Sequence, residues 1–258
     1  MSFGLRLAAS GLLVGAALLL TGTASAQKSR FGGEWRRSNR VESDDAFFSY
    51  SRFAFEARFG LYSPHIDDEF EGAATPYADV FNTNPQFYVG LEIDWLPFRI
   101  PYLGVLGPTV GWGYTWASAV AQIAGGGGPS SQDTSLWIMP MHASAVLRVD
   151  ALMREVDIPI VPYAKFGFGW GLWSASSGDS SASFDGVVGR GTSLGTHLAL
   201  GGMFSLNWLD SGGSHALEDA TGLRAIYLFG EWMRTDLGGG SQMNIGTSTG
   251  VFGLAAQR

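Results

Sequence analysis

The chain has 258 residues, of which 46% are hydrophobic and only 15% charged; Gly accounts for 37, Cys for none, and the formal net charge is −7. The absence of Cys excludes a disulfide scaffold, a thiolate metal site and a cysteine nucleophile. Sixteen Lys and Arg face 23 Asp and Glu with no basic stripe, which argues against a nucleic-acid partner.

Residues 1–26 read as a secretory signal peptide. Arg6 is the lone charge of a short n-region, Leu12 to Leu20 form the apolar segment, and Ala24-Ser25-Ala26 is an A-x-A cleavage site. The apolar run is too short to cross about 30 Å of hydrocarbon as a helix. Removal of this segment takes the net charge to −8. Residues 27–52 read as a flexible polar leader with Arg30, Arg36, Arg37 and Arg40, and 53–258 as the folded unit.

From Phe53 onward the dominant signal is period-2 alternation, the mark of strands with two unlike faces. Phe53, Phe55, Ala57, Phe59 and Leu61 oppose Ala54, Glu56, Arg58 and Gly60. Phe87, Val89, Leu91, Ile93 and Trp95 oppose Tyr88, Gly90, Glu92 and Asp94. Leu106, Pro108, Val110, Trp112, Tyr114 and Trp116 oppose Gly107, Thr109, Gly111, Gly113 and Thr115. A fourth strand over about 135–149 sets Trp137, Met139, Met141 and Leu147 against His142, Ser144 and Arg148. A fifth sets Phe166, Phe168, Trp170 and Leu172 against Tyr163, Lys165, Gly167, Gly169 and Gly171. The sixth, over 194–208, places His197, Ser205 and Asn207 opposite Leu198, Leu200, Phe204 and Trp208. The seventh, about 223–234, opposes Leu228 and Trp232 to Tyr227, Phe229 and Glu231, and an eighth covers about 242–256.

The face opposite the bulky residues is mostly Gly, Ser and Thr, with isolated charges. Such a face covers a water-exposed sheet poorly and fits a narrow barrel lumen, with the apolar face turned to lipid. Tyr62, Trp95, Trp116, Trp137, Trp173, Trp208 and Trp232 lie near strand ends, as interfacial aromatics do. Of the outer connections at 63–85, 118–134, 174–192 and 235–241 three are long, and of the inner ones those at 96–104 and 150–159 are short and that at 209–222 is longer than expected, an asymmetry of the kind outer-membrane barrels show. The expected fold is therefore all-β: an eight-stranded antiparallel up-and-down transmembrane β-barrel in the outer membrane of a Gram-negative bacterium. Its partners are outer-membrane lipid and lipopolysaccharide and the barrel-assembly machinery. No cofactor is implied.

Several segments resemble a family of small outer-membrane β-barrel proteins found in myxobacteria and relatives. They are Arg58-Phe59-Gly60-Leu61-Tyr62-Ser63-Pro64 with Ile66-Asp67-Asp68, the run Ile158 to Gly167, Asn207-Trp208-Leu209-Asp210, and Tyr227-Leu228-Phe229-Gly230-Glu231-Trp232. The resemblance implies location and fold and carries no activity. The chain ends Ala255-Ala256-Gln257-Arg258, without the terminal aromatic many such barrels have.

Glu56, Arg58, Glu92, Asp94, Arg148, Lys165 and Glu231 all fall on inferred lumen faces. Mixed acids and bases in a confined space are expected to pair into a network that fills the barrel. His142 and Ser144 share one strand face, the spacing of the His-x-Ser element in lipid A deacylases, where a serine needs a neighbouring base. No orienting acid is evident beside them, since Glu155 falls in the following turn. His197 reads as a solitary hydrogen-bonded filler of the lumen. Asp67, Asp68, Glu69 and Glu71 form an acidic run in the first long connection, a candidate cation-binding loop weighed against a solvated one. No metal site is expected otherwise. The leading expectation is a structural or surface-interaction barrel with a packed lumen, no wide pore and no catalysis. A lipid A deacylase-like enzyme and a soluble periplasmic barrel or sandwich are the alternatives.

Overall fold

The computed structural model describes residues 53–122, 129–178, 180–184, 187–208, 218–239 and 242–258. The signal segment and leader lie outside the described residues, as does the Gly125 to Gly128 run. Eight long strands follow in chain order: β1 (Phe53–Tyr62), β2 (Gln86–Trp95), β3 (Gly104–Gln122), β4 (Pro129–Arg148), β5 (Ile160–Ser177), β6 (Arg190–Ser205), β7 (Ala225–Leu237) and β8 (Thr247–Gln257). Each pairs antiparallel with its sequence neighbours, and β8 returns to pair with β1, so the sheet closes on itself. The result is an up-and-down barrel without free edges along its paired length. A short strand at Phe98–Ile100 folds back on the start of β3.

Burial follows the alternation with its usual sense reversed. Along β1 the even positions Ala54, Glu56, Arg58, Gly60 and Tyr62 are buried, whereas Phe53, Phe55, Phe59 and Leu61 are exposed. The pattern recurs on β2, where Glu92 and Asp94 are buried and Leu91 and Ile93 exposed, and on β7, where Glu231 is buried between exposed Gly230 and Trp232. Leu91 is 60% exposed and Phe166 65%, while Lys165, next to Phe166, is fully buried. Alternating residues point to opposite sides of the wall, so one register decides all of these placements.

The strands differ in length. β1 and β2 have 10 residues each, whereas β3, β4 and β5 have 19, 20 and 18. The wall is thus extended on one side, at the end away from the chain termini. This corrects the expected connections at 118–134 and 174–192, which are largely strand. Ser135 pairs with Ser118 and Ser176, and the Ser135 and Ser176 hydroxyls lie 2.6 Å apart. Small polar residues carry little strand signal of their own, but ladder pairing with a neighbour satisfies their backbone groups. At the sixth strand the ladder ends at Ser205, and Leu206–Trp208 form a 3-10 turn. There the Asn207 side chain donates to the Arg224 carbonyl at 2.8 Å and accepts from the Ile226 N–H at 2.9 Å.

Two of the seven aromatics expected at an interface point inward. Tyr62 is buried and its hydroxyl donates to the Ile245 carbonyl at 2.5 Å. Trp173 lies on the inner face over Gly191, and its Nε1 is buried. Trp95, Trp116, Trp208 and Trp232 are exposed. Trp116 and Trp137 face each other across β3 and β4 at the same height.

The interior is layered. Tyr62, Tyr77, Tyr88, Leu136, Ile138, Leu237 and Ile245 close the end away from the termini. Val161, Tyr163, Met203, Tyr227 and Ala255 fill the other end. Charged side chains lie between. The first connection forms a cap: a 3-10 turn at Asp67–Phe70 leads to α1 (Pro76–Phe81), which sets Tyr77 into the barrel mouth. The connection after β4 carries α2 (Ala151–Val156).

Candidate functional site: the charged lumen

Five of the eight strands aim charged groups at a common centre. β1 supplies Glu56 and Arg58, β2 Glu92 and Asp94, β4 Arg148, β5 Lys165 and β7 Glu231. Every one of these seven side chains is buried. They form one connected network. Arg58 is ion-paired with Glu92 through one terminal nitrogen and with Glu231 through the other. Lys165 Nζ lies 2.6 Å from Glu92 Oε1, 2.9 Å from Glu56 Oε2 and 3.4 Å from Glu231 Oε2. Arg148 donates to Glu56 at 2.8 Å and is also paired with Asp94. Neutral donors complete the shell: the Thr109 hydroxyl donates to Glu92 at 2.9 Å and that of Tyr163 to Glu231 at 2.8 Å.

Burying a charge costs several kcal/mol of desolvation per ion unless it is paired and hydrogen-bonded. The network connects each cation to at least two carboxylates, and among its polar atoms Arg58 Nε, Arg148 Nε and Nη1 and Asp94 Oδ1 are buried with no hydrogen-bond partner among the described residues. Glycine opens the space it needs. A Cβ at Gly113 would fall 2.3 Å from the Tyr88 ring, so Tyr88 lies across the wall only because Gly113 has no side chain.

His142 and Ser144 stand beside this network on the inner face, together with His197 of β6. The rings of His142 and His197 stack with centroids 3.8 Å apart and planes 3° from parallel. Ser144 Oγ lies 3.3 Å from His142 Nδ1 and 3.1 Å from His197 Nδ1. His142 Nε2 is 3.2 Å from Glu92 Oε2 and 3.2 Å from Arg58 Nη1. An acid therefore does adjoin the pair, supplied by β2 rather than by the turn after β4. Glu92 and His142 are 50 positions apart, and only the β2–β3–β4 register brings them together. The serine–histidine–carboxylate order is that of an activated nucleophile. Its position is not that of a lipid-facing one, since all three groups are buried inside the wall. His197, expected as a solitary lumen filler, is instead the second ring of the stack.

The acidic run goes to structural work in part. The Asp67 carboxylate accepts from the N–H groups of Tyr77 at 2.7 Å and Ala78 at 3.0 Å, holding the start of α1. Glu69 accepts from the Asn244 N–H, and the His65 N–H donates to the Gly246 carbonyl at 2.9 Å, which ties the cap to the last connection. Asp68 and Glu71 are exposed. Burial pushes the Tyr77 hydroxyl up from its ordinary value. Among the described residues the one set of three acids with ligand atoms converging is Glu56, Glu92 and Asp94, in the lumen.

No protein-family model matches the chain, and no curated protein does. Among solved structures it is similar to the attachment invasion locus protein Ail of Yersinia pestis in complex with the heparin analogue sucrose octasulfate. Identity is 10%, covering 81% of this chain and 97% of that one, with a TM-score of 0.42. The outer membrane protein OprG of Pseudomonas aeruginosa is similar at 11% identity, 81% and 96% coverage and a TM-score of 0.40. The N-terminal β-barrel domain of OprF from the same organism gives 8%, 81%, 98% and 0.39. At these values nothing is carried over from those proteins, and the closed eight-stranded barrel stands on the chain's own strand pairing.

Proposed function

We propose that the chain is an outer-membrane β-barrel with a structural or surface-interaction role, its lumen packed and its cap presented to partners outside the cell. The observation that carries this reading is the inverted burial. Large apolar side chains are exposed on the outside of the wall on seven of the eight strands, and on β4 Trp137, Met139, Met141 and Leu147 are half-buried there, while four acids and three bases are sealed within. Water gains nothing from that arrangement, whereas hydrocarbon requires it. Strands of 10 residues are long enough to cross when tilted, since about 9–11 suffice. The sequence of residues 1–26 supports export by signal-peptide cleavage. Outer-membrane lipid and lipopolysaccharide are then the partners of the apolar wall, and insertion falls to the barrel-assembly machinery. The termini face the periplasm, and the extended β3–β5 wall and the cap face outward. The acidic cap, with Asp68, Glu71 and Asp79 exposed, suits contact with cationic or cation-bridged envelope polymers.

A lipid A deacylase-like activity has one observation in its favour, the Ser144–His142–Glu92 alignment. Against it, acyl chains would lie outside a wall that Ser144 faces away from. Cell fractionation combined with gel migration before and after boiling tests the main reading. The protein is expected with the detergent-extracted outer membrane and to run differently unboiled. Recovery in the soluble periplasmic fraction would overturn it.

A further inference from the structure

The apolar outer wall is interrupted on β7 and β8, in the half away from the termini. Arg234 and Asp236 of β7 stand on the outer face, their side chains 52% and 53% exposed, with Arg234 Nε donating to both Asp236 oxygens at 3.1 and 3.2 Å. Ser248 and Gly250 of β8 lie beside them and are exposed, and Ser248 Oγ accepts from Trp232 Nε1 at 3.0 Å. The ladders fix the depth of this patch. Followed from Ala57 in the two directions round the barrel, they reach β5 at Trp170 and at Ile160. The ladder therefore climbs ten residues per circuit, a little over one per strand. Arg234 pairs through Leu198 with Phe166, and Asp236 through Thr196 with Phe168. With the climb over two strands, Arg234 stands about level with Phe168 and Asp236 with Trp170, both below Leu172. Phe168 is 78% exposed, and Leu172 also faces outward. An ion pair thus stands at a depth where β5 offers bulky side chains to hydrocarbon.

We propose that this patch is the contact face of a two-fold dimer, in which Arg234 of each copy pairs with Asp236 of the other. The proposal rests on the membrane reading of the wall. Ionisable groups at such depth are costly against lipid and are found facing protein, water or one another. A two-fold contact presents the same patch from both sides, so a patch carrying one cation and one anion complements itself. Copies inserted the same way up share a two-fold axis along the bilayer normal, which brings equal heights together. Arg234 and Asp236 are two positions apart on one strand, about 7 Å, within reach of an arginine side chain. Within one copy Asp236 takes only Nε of Arg234, so the terminal nitrogens are left for a second acceptor. Gly250 and Ser248 add little bulk, which lets two walls approach closely. An anionic lipid headgroup fits the patch less well, because Asp236 repels the phosphate that Arg234 attracts.

The test uses the full chain, refolded into phosphatidylcholine bilayers and into zwitterionic micelles. Gly250→Cys adds a side chain where nothing lies within 4 Å. On oxidation in bilayers it is expected to give a disulfide-linked dimer, whereas Phe166→Cys, away from the patch, is expected to stay monomeric. Sedimentation in micelles is expected to find two copies per particle for the parent and one each for Arg234→Glu and Asp236→Arg. Mixed before reconstitution, those two variants carry opposite charges at the contact and are expected to restore the dimer as a heterodimer. No cross-link at Gly250→Cys would overturn the proposal, as would equal cross-linking of Phe166→Cys. A dimer that persists in Arg234→Glu, or a mixture that stays monomeric, would also overturn it. The cross-link does not depend on the folding of the charge variants. Monomeric protein that still runs differently unboiled contradicts the dimer and leaves the membrane reading standing, whereas soluble protein contradicts the membrane reading itself.

Discussion

A Cβ placed on Gly111 would lie 2.0 Å from Nε2 of His142. The two residues pair across β3 and β4, and the imidazole lies over the glycine. The position therefore tolerates no side chain unless the ring moves, and the ring is held by Ser144, His197, Glu92 and Arg58. Gly111→Val is expected to destabilise the barrel by about 1–3 kcal/mol, the usual cost of overpacking. Gly230, on the outer face with nothing within 4 Å of its Cβ position, is the control. Gly230→Val is expected to unfold in urea at a midpoint close to the parent's. Equal losses in the two variants would contradict the packing described for His142.

Arg58 joins Glu92 and Glu231 across the lumen. Arg58→Met leaves two buried carboxylates without their main partner. A loss of about 3–5 kcal/mol is expected, as for other broken buried pairs. Adding Glu231→Gln to that variant removes one orphaned charge and is expected to recover part of the loss. Folding yields and urea midpoints of the single and double variants provide the measurement. A double variant whose loss equals the sum of its singles would show that the residues do not act as one network.

The outer face responds to charge in the opposite way. Leu91→Arg and Phe166→Arg each place a cation toward hydrocarbon, at a cost of about 2–4 kcal/mol if the site lies near the midplane. Unfolding from bilayers reads this directly. Parent-like stability of Leu91→Arg would mean that β2 faces the other way.

Tyr77 anchors the cap in the barrel mouth. Its hydroxyl holds its proton more tightly in the folded cap than in an unfolded chain, because burial disfavours the phenolate. The folded state then binds more protons once pH passes the unfolded value of about 10, so the cap's stability is full below that pH and falls above it. Limited proteolysis within 63–85 is expected to accelerate above about pH 10 in the parent. Tyr77→Phe is expected to show no such step.

Much of the barrel was legible because its two faces differ so strongly. The alternation from Phe53 to Leu61 and from Phe87 to Trp95 marks two strands and sets Glu56, Arg58, Glu92 and Asp94 on one face of each; the sense of burial came from the small and polar make-up of that face, not from the alternation. The upper parts of β3 to β6 were not legible. Ala117 to Gln122 and Ser174 to Ser177 are small or polar residues whose strand conformation comes from the neighbouring ladder. Tyr62 and Trp173 read as interfacial because they sit near strand ends, yet the cap and the extended wall enclose the space they point into. The partnership of Glu92 with His142 depends on a register across three strands, which no local spacing encodes. The capping role of Asp67 likewise needs the ten-residue excursion to α1.

Planar bilayers and lipid analysis bear on the packed lumen and the Ser144 set together. No stable large conductance is expected, since tyrosines and aliphatic side chains close both ends of the charged layer. Expression of the parent and of Ser144→Ala is expected to leave lipid A acylation identical. Acyl loss that depends on Ser144 would promote the enzymatic reading.

The most direct test uses the absence of cysteine. Single cysteines at Leu91, Phe166 and Leu228, spin-labelled in the refolded protein in bilayers, report what lies outside the wall. Labels at all three are expected to be relaxed strongly by oxygen, which concentrates in hydrocarbon, and weakly by a water-soluble nickel chelate. Strong relaxation by the chelate at all three would mean that water covers the apolar face, and the membrane barrel would be contradicted.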